Sequence, residues 1–158
     1  SDVRDIRLLK ARMENERLPR GIEPARHVKL GPGGLTDVEW TIQLIQMRAG
    51  MNNPALRTPS TTQAILSARE NELISAQDAQ TLLDAWDMAT RIRAANTLAS
   101  GRMSGVKLDV LPRDSADLRA LAAILGYGSG GLNALEDDWL RAGRKARAVM
   151  ERLFWEQQ

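Results

Sequence analysis

The sequence predicts an all-α fold, a single helical bundle of about six helices with no sheet. Apolar residues recur at three- and four-residue spacing over most of the chain, which is typical of amphipathic helices. Long stretches of alternating apolar and polar residues are missing and β-branched clusters are few, which argues against strands. The 158 residues are enough to bury a core without disulfides, and we expect one domain.

Proline and glycine divide the chain into predicted elements, because neither residue continues a helix well. The expected order is a leading helix over 1–18, a Gly/Pro loop over 19–34, central helices over 35–100, a loop over 101–114 and C-terminal helices over 115–158. Within the last two helical parts we predict helices over 35–48, 60–73, 76–100, 115–125 and 132–156. Trp86 and Trp139 fall on the apolar stripes of two of these helices, so we assign both to the core.

Three helix starts carry capping signals. Ser60 and Ser75 precede apolar-periodic segments, and serine is a favoured N-cap. Asp78 stands three residues after Ser75, the spacing of a capping box. Thr36 and Glu39 have the same spacing, so we predict that they cap the helix over 35–48.

Composition excludes several function classes. The chain has no cysteine and a single histidine, His27, so disulfides, Cys-type zinc sites and His-pair metal sites are not expected. No apolar run is long enough for a membrane span or a signal core, and we expect a cytoplasmic protein. The net charge of +2, without a basic tail, does not favour nucleic-acid binding. His27 lies in a loop, and we interpret it as a hydrogen-bonded surface residue, not as a catalyst.

A glycine-rich turn at residues 31–34 follows Lys29 and leads into a predicted helix. A turn of this kind can present backbone N–H groups and the positive end of the helix dipole to an anion. The alternative is a tight structural loop that needs a positive φ at Gly33 or Gly34. Pattern alone favours the structural alternative.

Polar residues continue along one face of the next predicted helix. Glu39, Gln43 and Gln46 follow at helical spacing, opposite the apolar positions Ile42 and Ile45. One interpretation is a polar cleft lined by a carboxylate and two amides; the other is an ordinary solvated helix face, which the pattern alone favours.

The segment from His27 to Gln46 resembles a family signature, Lys-x-x-x-Gly-Gly-x-x-Asp-x-Glu-aromatic-x-x-Gln. The signature is that of the helical domain in glutamine synthetase adenylyltransferases, a module shared with PII uridylyltransferases. Further resemblance lies in the stretches 91–93, 109–112, 118–127 and 147–154. Thr36 stands where the family usually has arginine.

The resemblance implies a domain of a bifunctional enzyme. In that family an N-terminal unit removes AMP from a tyrosine of glutamine synthetase, and a C-terminal unit adds AMP from ATP. The ending of this chain resembles the end of the full-length enzyme, so the resemblance implies the helical domain after the adenylylating unit. Mg²⁺ and ATP are implied for the full enzyme only. The family's catalytic units hold Mg²⁺ with a Gly-Ser plus Asp-x-Asp motif on a strand. No such arrangement on a strand occurs here, since Gly128-Ser129 lies between predicted helices, so we expect no catalytic residue, metal or cofactor in this chain and no activity of the chain alone.

The resemblance also implies partners: the preceding nucleotidyltransferase domain, glutamine synthetase and, as an alternative, PII. The implied cleft residues are Lys29, Gly33, Gly34, Asp37, Glu39, Gln43, Gln46 and Arg93. Lys29 would neutralise phosphate, and Asp37 and Glu39 would orient it, a partner arginine or Mg-bound water. Two alternatives stay open: a non-catalytic module that docks glutamine synthetase or PII, and the equivalent domain of a PII uridylyltransferase.

Overall fold

The computed structural model describes residues 2–49, 54, 58–101, 105–128 and 130–154, and within them the fold is all-α, as predicted. The helices are α1 (Asp2–Arg17), α2 (Leu35–Ala49), α3 (Thr61–Glu70), α4 (Ala76–Ser100), α5 (Ser115–Ile124) and α6 (Leu132–Phe154). Two short 3₁₀ helices, Pro24–Arg26 and Val106–Asp109, lie in the predicted loops. In the described ranges, extended pairing is limited to one isolated bridge between His27 and Val110.

Helix α4 forms the centre of the bundle and packs against α2, α3, α5 and α6. One core cluster joins it to α2, α3 and α6 through residues such as Ile42, Ile65 and Leu82. A second cluster joins it to α5, α6 and the loop after α1, with Trp139 fully buried. Trp86 is partly buried and packs against both clusters, so its predicted core position is only partly correct.

The predicted serine caps are present. Ser60 accepts a hydrogen bond from the Gln63 N–H at 3.3 Å, and Ser75 accepts one from the Asp78 N–H at 3.0 Å. Gly101 ends α4 in the left-handed region, at φ 68°, where glycine is favoured. Helix α3 ends at Glu70, three residues before the predicted end.

The predicted cap at Thr36 is wrong, because α2 begins at Leu35 and Thr36 lies in its first turn. The side chain that serves this helix start is Asp37, whose Oδ2 accepts from the Gly33 N–H at 2.7 Å. Asp37 therefore reaches back to the loop, which is the task that the sequence pattern assigned to Glu39.

None of the helices in the described ranges combines the length and the apolarity that crossing a bilayer requires.

Candidate functional site

The glycine-rich loop before α2 uses its N–H groups within the fold. Leu30 N–H donates to His27 Nδ1 at 2.9 Å, and Gly31 N–H donates to the His27 carbonyl at the same distance. Gly34 N–H donates to the Gly31 carbonyl, and Gly33 N–H to Asp37. These groups are not presented to an anion, so the geometry supports the structural interpretation of the loop.

Close backbone packing explains the two adjacent glycines. Gly33 has φ +71°, and a Cβ there would stand 2.0 Å from the Gly143 carbonyl oxygen of α6. A Cβ on Gly34 would stand 2.6 Å from the Val28 carbonyl oxygen. Both glycines are buried, so close packing of the loop explains them, and neither lines the open groove described below.

Asp37 lies in a buried ionic cluster, not on an open edge. Its side chain is 2 % exposed, and Oδ1 is 2.5 Å from Nζ of Lys10, which is 1 % exposed. Arg147 of α6 lies 3.1 Å from Asp37 Oδ2, and both cations also contact Glu14, at 2.5 Å and 2.8 Å. Asp37 thus joins α1, α2, α6 and the loop. Asp37 does not line the open groove described below.

The cluster shifts the pKa values of Glu14 and Arg147. Partial burial raises the pKa of Glu14, but hydrogen bonds from Arg147 and Lys10 outweigh it and hold that pKa below its ordinary value. Burial likewise lowers the pKa of Arg147, but the acceptors Glu14 and Glu151 and the charge of Asp37 raise it overall. Both residues therefore stay charged near neutral pH.

The remaining polar residues of α2 do line an open groove of about 580 Å³. Glu39, Gln43 and Gln46 form one wall, and Trp86 of α4 contributes an aromatic surface. The opposite wall is the start of α3, with the hydroxyl-bearing residues Thr58, Ser60, Thr61 and Thr62. Gln46 is partly engaged, since its Nε2 donates to the Thr58 carbonyl at 3.1 Å.

Lys29 and Arg93 lie near His27, outside this groove. The charges of both residues act on the His27 ring, while neither residue lines the groove. Lys29 is exposed. Arg93 is 42 % exposed, with its Nε 2.6 Å from Asp109 Oδ1, so its charge is already paired.

Helix packing relates these cations to the groove. Leu35 shares a core cluster with Ile92, whereas Ile42 shares one with Leu82, so α2 and α4 run antiparallel. Arg93 follows Trp86 by seven residues, which places it on the same face of α4 about 10 Å further along. Arg93 therefore lies beyond the groove, on the face of α4 that carries Trp86.

His27 is buried, not a surface residue as the sequence predicts, with 2 % exposure. Burial lowers its pKa, although the nearby Asp109 carboxylate opposes the shift. Its Nδ1 accepts the Leu30 N–H at 2.9 Å, so the ring is neutral with its proton on Nε2. The residue holds the glycine loop in shape.

Arg26 is a buried residue that joins the loop after α1 to the 109–112 stretch and to α6, and sequence reasoning missed it. Its Nε donates to the Leu111 carbonyl at 3.0 Å, a second nitrogen donates to the Pro112 carbonyl at 2.5 Å, and the third lies 2.9 Å from Glu136. The Asp-x-Leu-Pro stretch at 109–112 was the available signal, because its carbonyls are the acceptors. Lys10 and Arg147 were missed for a different reason, since each reads as an ordinary helix-surface cation.

The described residues do not bring three or more His, Cys, Asp or Glu side chains together in a metal-binding arrangement. Glu39 is a single carboxylate in its groove, and Asp37 faces two cations. A two-metal centre needs closely grouped carboxylates, so these residues do not fit the Mg²⁺ that the resemblance implies for the full enzyme.

Fold and site together define an all-α domain that has a buried ionic cluster around Asp37 and an open polar groove beside α2. The family model described as GlnD PII-uridylyltransferase matches residues 7–154. The chain belongs to that family.

Named relatives are bifunctional glutamine synthetase adenylyltransferase/adenylyl-removing enzymes. The chain is 50% identical to that of Streptomyces coelicolor over 97% of its own length and 15% of the relative's. It is 48% identical to that of Streptomyces avermitilis over the same shares. For Cutibacterium acnes the identity is 46% over 99% of this chain and 16% of the relative. The chain thus spans about 15% of the length of these relatives.

Proposed function

We propose that the chain is the helical domain that follows the adenylylating unit of a glutamine synthetase adenylyltransferase. In this proposal the domain completes the cleft in which AMP passes from ATP to a tyrosine of glutamine synthetase, and it is inactive alone. The names of the relatives support the enzyme class. The domain's position within the enzyme and its part in the cleft are our proposal.

One observation carries the proposal: the segment from the glycine loop through α2 has buried polar or glycine positions at its start and groove-lining polar residues further along. Asp37 and the glycines are occupied within the fold, whereas Glu39, Gln43 and Gln46 line the groove beside Trp86. Structural demands explain the first set. The second set lines an open groove, and Gln46 is also engaged within the fold. A ligand or substrate role accounts best for the groove-lining groups of Glu39 and Gln43.

The chemistry of the groove suits an extended polypeptide segment. Carboxamides both donate and accept hydrogen bonds, and hydroxyls do the same, so the two walls match the backbone groups of a loop. The partly buried Trp86 offers an aromatic surface for an apolar or aromatic side chain. We infer that the groove receives the tyrosine-bearing segment of glutamine synthetase, while the exposed Lys29 supplies positive charge toward phosphate.

The test uses a graft, in which this chain replaces the matching segment of the Streptomyces coelicolor relative. Gln43→Ala and Lys29→Ala should each slow AMP transfer to glutamine synthetase by about tenfold, the effect of losing roughly one transition-state hydrogen bond. Met47→Ala is the control, because Met47 is 59% exposed on α2 and does not line the groove.

Removal of AMP should stay unchanged in the same variants, because the proposal assigns this domain to the adenylylating unit. Unchanged transfer in both variants, with unchanged melting temperature, would sink the groove assignment. Loss of AMP removal instead of transfer would move the domain to the other unit.

Two other functions have specific support. The description of the matching family favours the equivalent domain of a PII uridylyltransferase; it predicts that an active graft modifies PII. The open groove also fits a docking module without a role in catalysis. That alternative predicts that the isolated 158-residue chain retains glutamine synthetase in a pull-down, and that Gln43→Ala raises KM without lowering kcat.

A further inference from the structure

Helix α1 differs from an ordinary surface helix, because it directs two charged side chains toward the bundle and two leucines toward solvent. Its charged residues Lys10 and Glu14 face the bundle, and Lys10 is 1 % exposed. Leu8 and Leu9 face outward, with 61% and 50% of their surfaces exposed. A surface helix of a globular protein normally directs its leucines toward the core and its charged residues toward solvent.

The contacts of α1 explain how this arrangement holds. The helix is tied to the body by the ion pairs of Lys10 and Glu14 with Asp37 and Arg147. Its apolar contribution is small: Ile6 packs against the cluster that contains Leu44 and Met150. The outward leucines add nothing to that attachment, so the fold of this chain alone does not account for them.

Charged side chains flank the two leucines along the same face. Arg4 and Arg12 stand one turn before and one turn after Leu8, since residues four apart are neighbours on a helix. Both are exposed, and in the described part of the chain neither forms a salt bridge. An apolar centre between two arginines matches a partner surface that is apolar with carboxylates on its rim.

We propose that this outer face of α1, defined by Arg4, Leu8, Leu9 and Arg12, docks onto another segment of the longer polypeptide to which such a domain belongs. The relatives supply the argument for this occupant, because about 85% of their length lies outside the matched segment. The proposal concerns an interface within one polypeptide and does not depend on which reaction the polypeptide carries out. Through the Lys10–Asp37 pair, the docked helix would also be joined directly to the start of α2.

The test compares the isolated chain with the graft by hydrogen–deuterium exchange. In the graft, amides of α1 should exchange about tenfold more slowly than in the isolated chain, because docking suppresses local opening of the helix. The double variant Leu8→Ser/Leu9→Ser should abolish that difference. Leu98→Ser is the matched control, since Leu98 is 73% exposed on α4 and should leave the exchange of α1 unchanged.

Two results would overturn the proposal. One is equal exchange of α1 in the graft and the isolated chain. The other is a stable dimer of the isolated chain that Leu8→Ser/Leu9→Ser dissociates, because the occupant would then be a second copy. Exchange is measured without substrates, so a failed adenylylation assay does not affect this outcome, and an undocked α1 does not contradict the groove.

Discussion

At the scale of single residues, Asp37 is the clearest case in which pattern and geometry diverge. The sequence places it at a helix start, where an acidic residue favours the dipole, and its resemblance to a motif suggested a cleft. Its actual partners, Lys10 and Arg147, are 27 and 110 residues away along the chain. No local pattern can reveal such pairs, because each cation alone reads as a solvated helix residue.

The protonation state of His27 also matters at the scale of single residues. The ring is buried and accepts the Leu30 N–H through Nδ1, so a proton on Nδ1 would break the bond that shapes the glycine loop. The groups whose charges act on it are Asp109, Lys29 and Arg93. Burial holds its pKa below the ordinary 6.5 despite the Asp109 charge.

The lowered pKa predicts a pH dependence of stability. The unfolded chain binds a proton at His27 more readily than the folded chain, so this contribution is fully present above pH 6.5 and is lost as pH falls toward the lowered folded pKa. His27→Asn keeps an acceptor near Nδ1 but does not titrate.

Urea unfolding at several pH values checks this expectation. The stability of the wild type relative to His27→Asn should fall as pH drops from about 7 to 5. A difference that stays constant with pH would show that folding does not lower the pKa of His27.

At the scale of elements, the glycine loop is fixed by α6 rather than by its own turn preferences alone. The Gly33 Cα approaches the Gly143 backbone so closely that a Cβ would stand 2.0 Å from its carbonyl oxygen. The sequence predicts glycine's freedom at this turn, but it cannot predict which distant helix comes so near. The same loop is held on its other side by the bridge between His27 and Val110.

Alanine substitutions can separate the cost of a left-handed backbone from the cost of the close contact with α6. Gly21 has φ +80° and nothing within 4 Å of a built Cβ, so Gly21→Ala should cost about 1–2 kcal/mol from the left-handed backbone alone. Gly33→Ala adds the clash with α6 and should cost about 1–3 kcal/mol more. Chemical denaturation measures both, and equal costs would mean that the contact with Gly143 does not constrain the loop.

Helix boundaries were the most predictable feature of the elements. Local signals fix them: the Ser75 cap and Gly101 bound α4 as predicted, and the Asp114 cap precedes α5. The start of α2 was predicted less well, because Asp37 binds the Gly33 N–H from inside the helix and Thr36 is not the cap. Trp155 and the end of the predicted last helix lie outside the described residues.

At the scale of the whole molecule, α2 has two parts with different surroundings. Its first turn is buried within the fold, and its later turns line an open groove. Its first turn enters the ionic cluster that joins α1 and α6, and the following turns line the groove with α3 and Trp86. Periodicity predicted that Glu39, Gln43 and Gln46 share a face. The facing wall from α3 could not be predicted, because it depends on how α3 packs against α2 and α4.

The most direct test of this division compares Asp37→Asn with Glu39→Ala. Asp37→Asn should destabilise the isolated chain by about 3–5 kcal/mol, because it leaves the buried Lys10 and the partly buried Arg147 with less countercharge. Glu39→Ala should change stability by less than about 0.5 kcal/mol yet slow AMP transfer by the graft about tenfold.

Paired measurement of unfolding free energy and transfer rate in these two variants decides the matter. We expect stability to fall only for Asp37→Asn, and Glu39→Ala to lower the transfer rate at unchanged stability. A Glu39→Ala graft that transfers AMP at the wild-type rate, or an Asp37→Asn chain as stable as the wild type, would show that α2 is not divided in this way.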